Sequence, residues 1–504
     1  MECPRKQEND ISVDTSPDKS TGTPSVASRL IANSFFLTMA TGSVTVLGAI
    51  YRVIIAREVG DAGYGQYYFV FTLAGMFVMF AGFGMRQAFT RAVAREPDRV
   101  GVLVAAGLCM RLVTGVASLL ILYSLLPILN LESDITYWIL IYGLICLPYI
   151  AIDVCEATFV AREVSYFTAI TRVAGSIIKV IAGIWALKAG YGLTGVFSVV
   201  VISTSIVAVS DLWILKRYIP GVKRLWPPQR PEVSKLFLQS LPFVSLMITS
   251  RLYYRNDVFF LKWLRSDSEV GLYGAAYMPL DFLLMVATSV LTAAYPIVAA
   301  MHANEPERVQ RAFAKLSRYG LLLTLPFSII LTFLGKPILT LVLGDNFARS
   351  ADALKILCWA TTIEVQVCLA GTFLGAMMMQ NTLAKISVVS LLANVALNLL
   401  LIPRFGFQGA ALSMVISASI TWIINMVVMR KALSTSVLWD AISRPLLAAA
   451  VGIIVLLPLL QTGLILPIAA FMVAFSTIVL LTKATDGYER KILARLIRRR
   501  RVNT

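Results

Sequence analysis

The chain has 504 residues, of which 58% are hydrophobic and 14% charged, and its mean hydropathy is +0.77. Soluble domains carry about 25% charged residues, so this composition excludes an ordinary soluble protein and favours a membrane protein. The net charge of +17 therefore predicts contact with lipid headgroups rather than with nucleic acid. The six cysteines are scattered without a CxxC pair, which predicts no metal site and no disulfide framework, and nothing in the sequence indicates a cofactor.

The first 27 residues are polar and lack an apolar segment, so they are predicted to form a disordered tail and not a signal peptide. Beyond them, stretches of about 20 apolar residues, enough to cross the hydrocarbon core, recur along the chain. These stretches predict about fourteen spans, near residues 30–56, 66–90, 101–127, 136–160, 165–188, 193–215, 233–260, 271–300, 314–335, 351–380, 382–403, 408–430, 441–461 and 464–483.

The orientation follows from the distribution of Lys and Arg over the connectors. If the N-terminus is cytoplasmic, 32 of the 45 basic residues lie in cytoplasmic segments and 8 in outer segments. Cytoplasmic connectors are enriched in Lys and Arg, so both termini are predicted to be cytoplasmic. The basic segments 216–235 and 491–501 are predicted to lie on the anionic inner leaflet.

The sequence also contains an internal repeat. Residues 190–206 align without a gap to residues 404–420, with seven identities that include Gly192/Gly406 and Gly195/Gly409. A second match pairs Tyr51-Arg52 with Tyr254-Arg255, and the segment 64–67 with 270–273. Span one then corresponds to span seven and span six to span twelve, so the repeat is parallel. Transporters built in this way bind substrate between their lobes and alternate access by rocking one lobe against the other.

We therefore predict an all-α integral membrane fold with two parallel six-helix lobes around a central cavity and two additional C-terminal helices. The predicted division is a disordered cytoplasmic tail (1–27), an N-terminal lobe (28–217), a cytoplasmic linker (218–232), a C-terminal lobe (233–432), spans thirteen and fourteen (433–484) and a basic cytoplasmic tail (485–504).

Three segments carry a family resemblance: 56–67, 270–277 and, most specifically, 394–411, which reads NVALNLLLIPRFGFQGAA. They resemble the polysaccharide transporter, or O-antigen flippase-like, family of the multidrug/oligosaccharidyl-lipid/polysaccharide exporter superfamily, over roughly residues 28–485. The resemblance implies a substrate made of an oligosaccharide on a polyprenyl diphosphate. It also implies a multi-pass protein of the cell (inner) membrane, in contact with membrane lipids and acting beside other glycan-assembly proteins.

Charges inside predicted spans are costly, so they commonly face a polar cavity. Five basic residues meet this description, and we predict that they form a cationic cavity that binds the diphosphate: Arg52, Arg111, Lys179, Arg251 and Arg255. Snorkelling to the interface or structural pairing is the competing interpretation. Three acids, Asp281, Glu364 and Asp153, are candidates for coupling to a proton or sodium ion, with a structural ion pair as the alternative. Asn394 and Asn398 could bind sugar hydroxyls, although an interhelical hydrogen bond is more typical.

The leading hypothesis is a lipid-linked oligosaccharide flippase that moves a polyprenyl-diphosphate glycan across the membrane by alternating access. A cation-coupled multidrug exporter is the alternative, but its cavity should be acidic, and the charge in span one is Arg52. A membrane-embedded glycan polymerase or ligase is a third possibility, disfavoured because no long outer connector could hold a catalytic domain. No nucleotide-binding P-loop or catalytic triad pattern occurs, so we predict that the chain is not an enzyme.

Overall fold

A computed structural model of the chain describes residues 26–222, 230–304, 306–430 and 435–482. Within these ranges the chain is α-helical, with short 3-10 turns and no β-strand, which confirms the all-α fold class. The helices are α1 (Val26–Gly82), α2 (Met85–Arg95), α3 (Val100–Leu129), α4 (Ser133–Gly143), α5 (Cys146–Ala161), α6 (Tyr166–Lys188), α7 (Gly192–Tyr218), α8 (Arg230–Leu264), α9 (Asp267–Asn304), α10 (Pro306–Leu343), α11 (Ser350–Ala376), α12 (Gln380–Met429), α13 (Thr435–Leu456) and α14 (Ile465–Leu481).

Two helical runs, α1 and α12, are each long enough to cross a membrane twice, and each contains one glycine with non-helical backbone angles. In α1 this residue is Gly60 (φ 71°), and in α12 it is Gly406 (φ 59°). In α12 the halves on either side lie next to each other, because Asn394 donates to the Ser417 hydroxyl and Thr421 to the Ser390 hydroxyl. In α1 the two halves line one cavity, with Gly48 from the first half and Gly75 from the second. Positive φ costs glycine little, so these positions let the chain reverse direction. Each run is therefore a helical hairpin.

Ten helical segments among the described residues are long and apolar enough to cross a membrane, and Ile465–Leu481 is a shorter apolar helix. Two of the ten, Thr38–Arg95 and Gln380–Met429, contain the hairpins. The protein is therefore a multi-pass membrane protein, while the number of fourteen spans stays a prediction.

We call α1–α7 the N-lobe and α8–α12 the C-lobe, and the surface where they meet the seam. In the N-lobe, α1 packs on α3 and α6, and α5 packs on α7. In the C-lobe, α11 packs on α9, α10 and α12, and the pair α13–α14 packs on α10. The largest core cluster crosses the seam, because it joins Tyr64 and Tyr68 of the N-lobe to Tyr273 of the C-lobe.

The segment predicted as a cytoplasmic linker, 218–232, is partly packed. Ile219 and Val222 are buried in a core cluster of the N-lobe that also includes Leu236 of α8. The first turns of α8 thus pack on the N-lobe, because they carry apolar residues that this cluster buries. Residues 223–229 of the predicted linker, nearly all of the predicted N-terminal tail and the whole of the C-terminal tail lie outside the described residues.

At the end of the bundle that holds Gly60, the lobes touch through two glycines. A Cβ atom on Gly65 of α1 would overlap the carbonyl oxygen of Asp267, and a Cβ atom on Gly271 of α9 would overlap the carbonyl oxygen of Asp61. The two contacts are equivalent, since each joins a glycine to the carbonyl four residues before the other glycine. This is the contact expected of the segments that the internal repeat aligned, placed beside a pseudo-twofold axis.

Side chains reinforce this contact. Gln66 donates to the Asp267 carboxylate across the seam at 3.0 Å, and Ser268 donates to the carboxylate of Asp61. Lys262 pairs with the same Asp267 carboxylate. The lobes are therefore joined by backbone contact and by polar side chains at the Gly60 end.

Candidate functional site

A cavity of about 440 Å³ lies in the seam, on the side away from the Gly60 end. Along α1 it runs from the level of Arg52 back to Val44, about 12 Å at 1.5 Å per residue. We call it the seam cavity. It is lined by Val44, Thr45, Gly48, Tyr51, Arg52, Tyr67, Phe71, Thr72, Gly75, Met76, Met79, Lys179, Arg255 and Asp281.

One carboxylate in this cavity holds two arginines from different lobes. Arg52 of α1 pairs with one oxygen of Asp281 at 3.0 Å, and Arg255 of α8 pairs with the other at 3.2 Å. All three side chains are 15–24% exposed, so they are largely shielded but can still be reached from the cavity. The two arginines that the repeat relates thus lie on either side of one acid.

Aromatic side chains fix the position of Arg255. Its guanidinium donates to the Tyr68 hydroxyl at 2.5 Å and lies 5.2 Å from the centre of the Tyr277 ring. Stacking on an aromatic face and hydrogen bonding suit arginine, whose rigid planar group loses little entropy when it is held. The sequence analysis did not single out Tyr68 or Tyr277, although Tyr277 lies in the segment 270–277 that carried the resemblance and Tyr68 directly follows the segment 56–67.

Lys179 of α6 is the third cation of the cavity. Among the described residues its ammonium group has no hydrogen-bond or ion-pair partner, and it lines both the seam cavity and a second cavity inside the N-lobe. Its side chain is therefore available to an incoming anion without first leaving a carboxylate.

Arg111 and Asp153, which the sequence predicted for the cavity and for ion coupling, lie elsewhere. Arg111 is 1% exposed inside the N-lobe, where it pairs with the Asp153 carboxylate and donates to the Tyr149 carbonyl at 3.3 Å. It is absent from the lining of the seam cavity. The rotation of α3 turns Arg111 toward α5, which makes a structural ion pair the better interpretation of both residues.

Three predicted residues remain, Arg251, Glu364 and Asp281, and each has a different outcome. Arg251 lies on α8, but its side chain is outside the described residues. Glu364 of α11 is 1% exposed and accepts a hydrogen bond from the Tyr254 hydroxyl, while its other oxygen has no partner in the described part of the chain. Asp281, the third acid proposed for ion coupling, holds Arg52 and Arg255 as described above.

The two asparagines of α12 hydrogen-bond other helices and not a cavity. Asn394 accepts from Asn256 at 2.9 Å and donates to Ser417 at 2.9 Å, and Asn398 donates to Asn256 at 2.7 Å. All four residues are buried. This network ties α8 to both arms of the α12 hairpin and matches the interhelical alternative.

Four charged side chains line the seam cavity, three cations and one carboxylate, so the cavity has a net charge of two positive charges. Mobile and forked donors around one space are suited to bind several anionic oxygens at once. The cavity can therefore hold a compact dianion, with tyrosines and apolar side chains beside it.

Comparison with known families agrees with this geometry. The model of the polysaccharide biosynthesis protein family matches residues 30–302, more than half of the chain. The chain belongs to this family. The MatE family model matches residues 242–400, which lie within the C-lobe of this family member.

Curated relatives of this polysaccharide biosynthesis protein are distant. A protein of Haloferax volcanii named "probable low-salt glycan biosynthesis flippase Agl15" is 22% identical over 383 residues, covering 73% of this chain and 77% of the relative. The capsular polysaccharide biosynthesis protein CapF of Staphylococcus aureus is 22% identical over 211 residues, covering 42% and 53%.

Solved structures show the fold. The lipid II flippase MurJ in an inward closed conformation superposes with a TM-score of 0.68 at 15% identity, over 91% of this chain and 99% of MurJ. An inward-facing multidrug resistance MATE family transporter superposes with a TM-score of 0.65 at 14% identity, over 77% and 95%. This family member therefore has the fold of MurJ and of MATE transporters.

Proposed function

We propose that the chain is a lipid-linked oligosaccharide flippase that moves a polyprenyl-diphosphate glycan across the cytoplasmic membrane by alternating access. The observation that carries the proposal is the seam cavity, in which Arg52, Arg255 and Lys179 face one space with a single carboxylate, Asp281. The names of the Haloferax volcanii relative and of MurJ support the same class of activity. As a transporter, the protein would change the position of its substrate and none of its bonds.

The charge balance favours a diphosphate over a monophosphate linkage. A polyprenyl diphosphate that carries a sugar has about two negative charges, and the corresponding monophosphate about one. The cavity offers two uncompensated positive charges. Because an unpaired charge within a membrane protein is costly, the dianion is the ligand that leaves the smallest residual charge.

The direction of transport follows from the predicted topology. With both termini in the cytoplasm, the Gly60 end lies on the outer side, where the glycine contacts join the lobes. The seam cavity then lies on the cytoplasmic side of that contact, where a substrate made in the cytoplasm can reach it. Separation of the lobes at the Gly65 and Gly271 contact would complete the passage, with the lipid tail remaining in the bilayer.

For coupling to an ion, Glu364 remains our proposed candidate, since one of its oxygens has no partner within the described ranges. Asp281 and Asp153 are occupied by arginines in this conformation. A proton or sodium ion at Glu364 would make transport depend on the corresponding gradient. Collapse of each gradient in turn, with Glu364→Gln as comparison, would show whether export follows one of them.

The deciding experiment is neutralisation of the cavity. We expect the triple variant Arg52→Gln/Lys179→Gln/Arg255→Gln to lose glycan export in cells that depend on this chain. The matched control neutralises three exposed cations, Lys188→Gln/Lys336→Gln/Arg404→Gln, and should export normally. Normal export by the cavity variant, at an equal amount of protein in the membrane, would exclude the proposed function.

The second candidate is a cation-coupled multidrug exporter, which the MatE match and the MATE fold favour. The net positive seam cavity is unsuited to organic cations, because like charges repel in a low-dielectric site. Expression of the chain in a drug-sensitive strain should therefore leave its resistance to cationic dyes unchanged. A rise in resistance that is lost with Asp281→Asn would support this candidate instead.

A further inference from the structure

A second cavity of about 230 Å³ lies inside the N-lobe, between α1, α5, α6 and α7. We call it the N-lobe chamber. It shares Val44 and Lys179 with the seam cavity, so the two spaces adjoin at the Lys179 side chain. Its lining is Val44, Tyr149, Ile152, Glu156, Arg172, Gly175, Ser176, Lys179, Ser203, Thr204 and Val207.

The chamber presents hydrogen-bond acceptors whose own hydrogens are already used. Ser203 and Thr204 both donate to the Val200 carbonyl, at 3.0 and 2.7 Å, so their lone pairs remain for a donor in the chamber. Glu156 is fully buried, binds Arg172 through both of its oxygens and accepts a third hydrogen bond from Arg86 at 3.2 Å. A carboxylate accepts up to about four hydrogen bonds, so it too retains capacity.

Donors and an aromatic face complete the lining. The Arg172 side chain is 32% exposed, and the Ser176 hydroxyl has no hydrogen-bond partner among the described residues. Lys179 provides a further donor at the junction with the seam cavity, and Tyr149 an aromatic ring. A small cavity lined by both donors and acceptors suits a polyhydroxylated ring, because its hydroxyl groups need both kinds of hydrogen-bond partner.

The internal repeat shows that the same positions are closed in the C-lobe. The offset of 214 residues extends beyond the aligned segments, because α6 begins at Tyr166 and α12 at Gln380; Ser176 and Val207 then correspond to Ser390 and Thr421, which hydrogen-bond each other at 2.7 Å. Likewise Ser203 corresponds to Ser417, which receives a hydrogen bond from Asn394 at 2.9 Å.

The N-lobe has valines, Val180 and Val207, where the C-lobe has Asn394 and Thr421. The side-chain pairs that close the C-lobe hairpin therefore cannot form in the N-lobe. A polar space remains there, next to the seam cavity.

We propose that the N-lobe chamber is a monosaccharide subsite, which takes the first sugar of the lipid-linked glycan while its diphosphate lies on Lys179, Arg52 and Arg255. This inference rests on the proposed function and assigns its sugar specificity to one lobe. Sugar hydroxyls donate to Ser203, Thr204 and Glu156 and accept from Ser176 and Arg172, and the apolar face of the ring lies on Tyr149.

The test uses two kinds of soluble probe with equal charge and the full-length chain in lipid nanodiscs. The first kind is a farnesyl diphosphate that carries glucose, galactose or N-acetylglucosamine, and the second is P1-farnesyl P2-methyl diphosphate, which lacks a sugar. We expect the chain to bind at least one sugar probe five-fold or more tightly than the methyl probe. Ser176→Leu, which fills the chamber, should lower the affinity for that sugar probe ten-fold or more. It should change the affinity for the methyl probe less than two-fold.

Two further variants distinguish loss of the sugar subsite from misfolding of the chain. Thr204→Val removes a hydroxyl at nearly constant side-chain volume and should lower the affinity for the sugar probe three-fold or more. Ser210→Leu adds the same bulk as Ser176→Leu at a partly exposed position of α7 outside the chamber and should leave the affinity for both probes unchanged.

The outcomes separate the subsite from the proposed function. If the native chain binds the methyl probe and no sugar probe binds more tightly, or if Ser176→Leu and Thr204→Val weaken both probes equally, the subsite is wrong and the diphosphate site stands. If the native chain binds none of the probes, the diphosphate site and the proposed function are wrong, and the subsite with them.

Discussion

The two lobes have corresponding hairpins but solve the burial of polar groups differently. The interior of the N-lobe contains ions, with Arg111 on Asp153 and with Arg86 and Arg172 on Glu156. The interior of the C-lobe contains neutral amides and hydroxyls that hydrogen-bond one another across α8 and the α12 hairpin, and its buried carboxylates Asp257 and Glu364 accept hydrogen bonds from tyrosines.

The difference concerns the space between the two arms of each hairpin, which is open between α6 and α7 and closed in α12. Inside a membrane protein each buried polar group needs a partner, and neutral side chains can supply it within a closed network. Long charged side chains reach their partners across more space and leave room beside them. The N-lobe accordingly contains a polar cavity at the positions where the C-lobe is packed.

The largest predicted effect on glycan export comes from a substitution at the glycine contact between the lobes. We expect Gly65→Ala to abolish glycan export, because the added methyl group would overlap the Asp267 carbonyl and keep the lobes apart. Gly42→Ala is the matched control, since a Cβ there meets no atom within 4 Å, and it should export normally. Export by Gly65→Ala at the native rate would show that the lobe contact is not needed.

The ionic interior of the N-lobe predicts a large stability effect. Arg111→Met should lower the free energy of unfolding in detergent by about 3–5 kcal/mol, because it removes one partner of a buried ion pair. Lys179→Met, on the same lobe, should change it by less than about 1 kcal/mol, since no described ion pair is lost, but should reduce export. Equal destabilisation by the two variants would contradict the assignment of Arg111 to structure and Lys179 to the cavity.

The neutral network of the C-lobe predicts a smaller loss. Asn394→Ala leaves buried partners on Asn256 and Ser417 without their hydrogen bonds, so we expect a loss of about 1–3 kcal/mol in the free energy of unfolding. Ser176→Ala in the N-lobe chamber should cost less than about 0.5 kcal/mol. Thermal unfolding of both variants measures the two losses in the free energy of unfolding. A larger loss for Ser176→Ala than for Asn394→Ala would contradict the description of the two lobes.

The smallest predicted effect concerns the charge of the seam cavity. Asp281→Asn removes the carboxylate that holds Arg52 and Arg255, so the farnesyl methyl diphosphate probe should bind a few-fold more tightly and with a steeper dependence on salt. Asp352→Asn, an exposed acid far from the cavity lining, should change neither quantity. Weaker binding by Asp281→Asn would indicate that the carboxylate itself contacts the substrate.

Much of the fold could be predicted because the repeat leaves a clear record in the sequence. The paired Gly192 and Gly406 both have positive φ, and the segments containing Gly65 and Gly271 meet at the seam as related positions should. The relation between Arg52 and Arg255 likewise predicted that they face one space, and both line the seam cavity. Their role in substrate binding stays a prediction.

The sequence could not distinguish Arg111 from Lys179, since both are single cations near the middle of apolar spans. The rotation of each helix about its own axis decides which one reaches the cavity, and packing against distant segments sets that rotation. Arg111 meets Asp153, 42 positions away, whereas Lys179 meets open space. The partial packing of the predicted linker was missed for the same reason, because Val222 and Leu236 are buried by residues far away in sequence.

The carboxylate of Asp281 opposes movement of the lobes when no substrate is bound. It belongs to the C-lobe but holds Arg52 of the N-lobe, so any rocking that separates the lobes at this level must first break that pair. Without a substrate, this separation would leave the Arg52 cation unpaired in a largely shielded space, while Arg255 of the C-lobe stays on Asp281, and the unpaired charge makes reorientation of the empty carrier slow. A bound anion supplies Arg52 with another partner and removes this penalty. The ion pair thus links movement of the lobes to the presence of cargo, and it limits cycles in which nothing is carried.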